Sequence, residues 1–229
     1  MTGGPPLIVT RPEPGNAATA GRARAMGFEV HAMPLFAAHP LDWRAPAAED
    51  FDALLLTSAF AARLAGPQIA RLQALPVHAV GEATARAAET AGLRVTMRGA
   101  AGAQQLLDAM ASRNIRSILW LCGRERTGFD ARGAAITPLP CYAVDPVPPP
   151  AAWAGLIAAP AVLLAHSARA AERMSDLVGA ARAHLSLAAI SPAAAAAAGE
   201  GWRDVAVAER PDDVAILAQA RALWHKGAK

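Results

Sequence analysis

The chain states one pattern twice. Residues 52–63 (Asp-Ala-Leu-Leu-Leu-Thr-Ser-Ala-Phe-Ala-Ala-Arg) are echoed by residues 161–172 (Ala-Val-Leu-Leu-Ala-His-Ser-Ala-Arg-Ala-Ala-Glu). In each copy an apolar run of strand length meets a Ser-Ala step, Ser58-Ala59 or Ser167-Ala168, and passes into an Ala-rich helical stretch. A second echo pairs residues 77–85, around Gly81 and Thr84, with residues 187–195, around Ser191 and Pro192. Ser58 and Ser167 stand 109 positions apart, and Val80 and Ile190 stand 110 apart. Two independent pairs at one offset read as an internal duplication of about 110 residues, with any function placed between the two halves.

The rest of each half follows the same order. Residues 7–10 read as a short buried strand, 17–26 as a helix stopped by Gly27, and 28–33 as a second strand. The pattern returns as a strand over 117–121, a loop over 123–128, a short helix near 129–132 and a strand over 135–144; Ile8 and Leu119 are 111 positions apart. Each half then ends in a short strand (94–97, 204–208) and a helix (104–112, 212–225). Strands alternating with helices imply an α/β fold of parallel sheets flanked by helices on both faces. Such sheets bind ligands beyond the carboxyl ends of their strands, which here carry Thr10-Arg11, Thr57-Ser58, Gly81, Gly123, His166-Ser167 and Ser191.

Two Pro-rich segments, 34–43 and 142–150, follow the second strand of each half and read as paired linkers. If both cross between lobes, the strand–helix–strand unit at the start of the chain belongs with the C-terminal lobe. The unit over 117–144 then belongs with the middle one.

Composition narrows the partner. The 229 residues carry a net charge of +3 and 18% charged side chains, with the arginines scattered singly. That suits an anionic small molecule and lacks the clustered basic face of a nucleic-acid binder. Cys122 and Cys141 are the only cysteines and form neither a disulfide framework nor a metal-site spacing. No stretch approaches the ~18 apolar residues of a membrane helix. The first apolar run is too short for a signal peptide, so a cytoplasmic protein is expected. No Gly-rich nucleotide loop is present.

These residues, taken in order, resemble the uroporphyrinogen-III synthase family. The resemblance runs nearly end to end, through Val9-Thr10-Arg11-Pro12, Leu56-Thr57-Ser58-Ala59, Ala79-Val80-Gly81-Glu82-Ala83-Thr84-Ala85, Leu119-Trp120-Leu121-Cys122-Gly123, Cys141-Tyr142, His166-Ser167 and Ile190-Ser191-Pro192. It implies two lobes joined by a two-stranded linker, one of residues 1–35 plus 146–229 and one of 36–145, with the active site in the cleft between them. The implied substrate is hydroxymethylbilane, a linear tetrapyrrole with eight carboxylates. The implied product is the type III macrocycle, formed with loss of water and inversion of the last ring by a cofactor-independent hydro-lyase. Neither cofactor nor metal is implied, the family is generally monomeric, and a transient hand-over from hydroxymethylbilane synthase fits this chemistry.

The reaction sets what residues must do. Loss of a hydroxyl gives an azafulvene, which the substituted carbon of the last ring attacks to form a spiro intermediate. The enzyme must chiefly fold a flexible chain so that this carbon is within reach, an effect worth up to roughly 7–11 kcal/mol in well-oriented systems. Exposed backbone N–H groups at strand-to-helix turns hold carboxylates, which is why small residues matter at Ser58-Ala59, Gly81, Gly123, Ser167-Ala168 and Ser191.

Tyr142, the single tyrosine, matches the family's functional phenol and is the candidate catalytic residue; the alternative is a linker ring packing on a lobe. Thr84 matches a threonine facing the cleft, or else satisfies a backbone donor at its helix start. Ser58, Ser167 and Ser191 sit where helix N-caps belong. Arg11 meets a substrate carboxylate or pairs with Glu13. His166, in place of the usual threonine, binds an acidic ligand or is a hydrogen-bonded structural histidine. Arg124 and Arg126 either reach the site or are solvated charge.

Two departures set limits. Cys122 stands where the family often has arginine, and Ala193-Ala194 stand where it often has threonine. The competing reading is therefore a non-catalytic two-lobed module that binds a tetrapyrrole or another polyanion. A bilobal solute-binding protein is a third reading and needs an export signal.

Overall fold

The computed structural model describes residues 4–99, 102–126 and 128–227. The first stretch of chain forms β1 (Leu7–Val9), α1 (Gly15–Ala25), β2 (Val30–Ala32) and β3 (Phe36–Pro40). There follow β4 (Ala53–Leu56), α2 (Ala59–Leu64), β5 (Val77–Val80), α3 (Glu82–Thr90), β6 (Val95–Gly99) and α4 (Ala103–Ala111). Next come β7 (Ser117–Gly123), β8 (Ala135–Pro146), α5 (Trp153–Ile157), β9 (Val162–Ala165) and α6 (Ala168–Val178). The chain ends in β10 (Ser186–Ala189), α7 (Pro192–Ala198), β11 (Asp204–Val207) and α8 (Asp213–Gly227). Short 3₁₀ turns lie after α2 and α6, over Gly66–Leu72 and Gly179–His184.

Two compact units result, one of Met1–Ala37 with Pro146–Lys229 and one of Ala38–Asp145. The first holds a sheet of order β11-β10-β9-β1-β2; the second sheet has the order β3-β8-β7-β4-β5-β6. Apart from β3, the orders correspond strand for strand, and the pairings within each five-strand set are parallel. Val162 lies opposite Leu7 in one sheet as Ala53 lies opposite Ile118 in the other. Each sheet thus joins strands from both sequence halves.

Beside β3 and β8, Leu41 N–H donates to Cys141 O at 3.0 Å and Val147 N–H to Leu35 O at 3.0 Å. The partner number falls as the residue number rises, so the two strands run antiparallel. A Pro-rich sequence conceals β3, which reads as irregular linker before folding. It lies at the edge of its sheet, where proline costs no ladder bond.

In the second unit β4 is buried along its whole length because both sheet faces are covered. Leu54, Leu56, Leu119 and Leu121 face Ala61 and Ala62 of α2 and Ala87 and Ala88 of α3. Ala53, Leu55, Ile118 and Trp120 face Leu106, Leu107 and Met110 of α4. In the first unit Leu7, Val9, Val162 and Leu164 pack against α1 and α8, through Ala20, Ala23, Ile216 and Leu217 among others. Also in that unit, α6 and α7 pack on each other and on β9 and β10. The alanine faces allow close approach of helix to sheet.

One expected element is absent. Residues 129–132 form no helix. Asp130 Oδ1 accepts the Arg132 N–H at 3.0 Å, and Arg132 and Gly133 both take positive φ (51° and 79°), which an α-helix excludes. Phe129 instead lays its ring against Trp120 at 4.8 Å.

Candidate functional site

The second unit gathers half of the main candidates near one edge. Because β7, β4 and β5 are parallel neighbours, their carboxyl ends bring Gly123, Ser58-Ala59 and Gly81 to the same side of the sheet. Tyr142 joins them from β8. A register irregularity after Cys122 sets Tyr142 opposite Gly123, and the phenol crosses the glycine. A methyl built on Gly123 would stand 2.9 Å from Tyr142 Cζ and 3.0 Å from Oη.

Two residues at the start of α2 complete the surroundings of the phenol. Ser58 has extended backbone and caps α2 by accepting the Phe60 N–H at 3.2 Å. The Phe60 ring lies 5.7 Å from the Tyr142 ring, tilted by 41°. Tyr142 is 9% exposed. Burial pushes its phenol above the ordinary range, and the nearby Ser58 hydroxyl offsets this only in part. A phenol so placed keeps its proton at neutral pH and is available as a donor.

Gly81 has φ +80°, a left-handed conformation that suits glycine, and begins α3 without a side-chain cap. Thr84 is buried in the first turn of α3. Glu82 of the same turn is held by Arg98 at 3.0 Å.

Arg124 is engaged by Glu125 at 2.8 Å and by Asp145, whose other oxygen meets His39 Nε2 at 2.7 Å. Arg126 reaches back to the Arg124 carbonyl at 3.0 Å. Both arginines line a cavity of about 630 Å³ whose walls include Trp120, Phe129 and Pro138. Cys122 is buried on the α4 side of the sheet, and burial raises its thiol, so it offers no charge in place of an arginine. The Cys141 thiol, also buried, is pushed up to about 12.

In the first unit, Ser167 caps α6 through the Ala170 N–H (3.1 Å) and Ser191 caps α7 through the Ala194 N–H (3.2 Å). Ala168 opens α6, and Pro192 follows the Ser191 cap at a position where its missing N–H costs nothing. Thr10 lies in the interior, its hydroxyl donating to the Leu164 carbonyl at 3.2 Å. The pairing of Arg11 with Glu13 does not occur. Glu13 accepts the Ala17 N–H at 3.0 Å, while Arg11 reaches Asp213 and Thr19, each at 3.2 Å.

Asp213 is the centre of that cluster. It accepts from Thr19 (2.8 Å), Arg11 (3.2 Å), Arg22 (2.5 Å) and His166 Nε2 (3.1 Å). Burial alone would raise its carboxyl. The hydrogen bonds from His166 and Thr19 and the adjacent positive charge outweigh that and hold it well below the usual range. His166 is lowered, chiefly by burial, and its Nδ1 is buried without a hydrogen-bond partner. The imidazole is therefore neutral, with its Nε2 proton on Asp213.

Sequence reading missed Phe60 and Asp213. Phe60 follows the Ser58-Ala59 step and is signalled by it. Asp213 lies 194 positions from Thr19 and 47 from His166, and nothing local announces the contact.

Comparison with known proteins supplies the family. Residues 17–218 match the family model described as uroporphyrinogen-III synthase HemD. Among solved structures, uroporphyrinogen-III synthetase from Helicobacter pylori is similar at 15% identity, with 96% of this chain and 99% of that one covered and a TM-score of 0.66. A mutant uroporphyrinogen III synthase from the extremely thermophilic bacterium Thermus thermophilus aligns at 17% identity over 95% of this chain and 98% of that one, with a TM-score of 0.49. No curated protein matches the chain significantly. No helix among the described residues is long and apolar enough to cross a membrane. With its family match spanning residues 17–218, this chain belongs to the uroporphyrinogen-III synthase family.

Proposed function

We propose that the chain converts hydroxymethylbilane to uroporphyrinogen III, as a hydro-lyase that needs no cofactor. The observation that carries the catalytic part is the Tyr142 phenol, protonated, packed against Gly123 and Phe60, and set at the carboxyl edge of the sheet. Its proton assists departure of the hydroxyl, which leaves as water and generates the azafulvene. General acid help of this kind contributes about 10²–10⁴-fold.

The remaining task is to hold eight carboxylates. Main-chain N–H groups do this at the helix starts Ser58-Ala59, Gly81, Ser167-Ala168 and Ser191 and at the strand end Gly123, and Thr84 adds a hydroxyl. In this reading the serine side chains cap their helices while the neighbouring amides face ligand. Arg11 and His166 contribute charge and shape through the Asp213 cluster. The chain works as a cytoplasmic monomer that receives its substrate from hydroxymethylbilane synthase.

The test is a coupled assay. Hydroxymethylbilane is generated in situ from porphobilinogen, the protein is added, and uroporphyrin isomers I and III are separated after oxidation. Type III in excess over the protein-free control is expected. Type I alone, from folded protein, would overturn the reading.

A further inference from the structure

Beyond the carboxyl end of β7 the chain passes through Arg124 and Arg126 to Phe129 before returning as β8. These residues help to line a cavity of about 630 Å³, a size typical of small-molecule sites. The sheet supplies another wall, through Trp120 of β7 and its register partner Pro138 of β8. The rings of Phe129 and Trp120 meet at 4.8 Å with an interplanar angle of 52°, and the Trp120 indole N–H donates to Thr57 Oγ1 at 3.1 Å, which fixes the indole. The charges of the lining are uneven. Arg124 faces Glu125 at 2.8 Å and the two offset each other, so the net positive charge is that of Arg126. Arg126 is exposed and gives one guanidinium nitrogen to the Arg124 carbonyl at 3.0 Å. In the equivalent turn after β1, Arg11 is instead committed to Asp213 and Thr19, each at 3.2 Å.

We propose, on the cyclase reading above, that this cavity is a subsite for one pyrrole ring of the substrate. The ring lies against the Phe129–Trp120 pair and one of its carboxylates pairs with the Arg126 guanidinium. Eight carboxylates over four rings give each ring two, so every ring is a flat π system with an anionic edge. Aromatic walls with a single net cation match that chemistry, because aromatic side chains take a ring by its face or edge and a guanidinium takes a carboxylate by two parallel hydrogen bonds. The cavity also stands beside the candidate catalytic group. Trp120 belongs to the cluster on the α4 face of the sheet and Tyr142 to the cluster on the α2–α3 face, so the cavity and the phenol flank the end of β7 from its two faces. A nucleotide shares the pairing of flat ring and anion, and the test separates the two ligands.

Porphobilinogen, a single pyrrole with two carboxylates, is the probe. With ¹⁵N-tryptophan the chain gives five indole signals, and that of Trp120 is the one displaced in Phe129→Leu, whose ring lies 4.8 Å away. Porphobilinogen should shift this signal saturably in the wild type, and adenosine monophosphate should leave it in place. Arg126→Gln changes an exposed side chain, so the variant keeps the wild-type urea midpoint while its porphobilinogen dissociation constant rises about tenfold, the lower end for a hydrogen bond to a charged group. With hydroxymethylbilane added directly, its KM should rise about tenfold and kcat stay within twofold. No shift with porphobilinogen, equal binding by Arg126→Gln, binding of adenosine monophosphate as tight as that of porphobilinogen, or an unchanged KM would each overturn the proposal. Arg126-dependent binding of porphobilinogen by a protein that forms no type III product would uphold the pyrrole site and overturn the cyclase reading.

Discussion

The Tyr142 ring occupies the space that a side chain on Gly123 would need, with Cζ 2.9 Å and Oη 3.0 Å from a methyl built there. The backbone of Gly123 is not in the left-handed region, so the requirement for glycine here is contact with the phenol. Gly123→Ala should displace the ring, lower type III formation at least tenfold, and cost about 1–3 kcal/mol as overpacking. The isomer assay and a urea titration of the same variant would check both. An alanine variant with native activity would show that the ring position is unimportant.

Asp213 organises the first unit more than any other charged residue described. Asp213→Asn removes the negative charge shared by Arg11 and Arg22 and replaces one of the two acceptor oxygens with a donor. Breaking a fully buried pair costs roughly 3–5 kcal/mol. Arg11 and Arg22 retain 35% and 56% side-chain exposure against 15% for Asp213, so solvent reduces the expected loss to about 2 kcal/mol. Urea unfolding at neutral pH measures it.

His78 links stability to acid. It is buried in β5 beneath α4 with Nδ1 unpartnered, and burial, helped by Arg113, lowers its pKa from 6.5 to about 4. The folded state refuses a proton that the unfolded chain binds below about pH 6.5. Stability from this residue is therefore complete above that pH and is lost as pH falls toward 4. His78→Met should show a shallower fall in urea midpoint between pH 7 and pH 4.5 than the wild type. Equal slopes would remove His78 as the cause.

What the sequence revealed depended on how local the determinants were. The Ser-Ala steps predicted both strand-to-helix turns because a serine that caps a helix announces its position, and Ser58 and Ser167 do cap α2 and α6. The two parallel α/β sheets followed from repeated alternation of apolar runs and helices. The helix expected near residue 129 failed because Asp130 bonds the Arg132 N–H and Gly133 follows with positive φ, which makes a turn of the stretch. β3 was concealed by its prolines. The Asp213 cluster was invisible, since its members meet from β1, α1, β9 and α8. Tyr142 was found through resemblance, whereas its contacts with Gly123 and Phe60 required the fold.

The most direct measurement is the rate of type III formation by the wild type and by Tyr142→Phe, with hydroxymethylbilane supplied in situ and the isomers resolved. The structure predicts type III as the wild-type product and a rate lowered about 10²-fold or more in the phenylalanine variant, with unfolding in urea unchanged within about 1 kcal/mol, the net worth of a typical hydrogen bond. Equal rates for the two proteins, or type I alone from both, would contradict it.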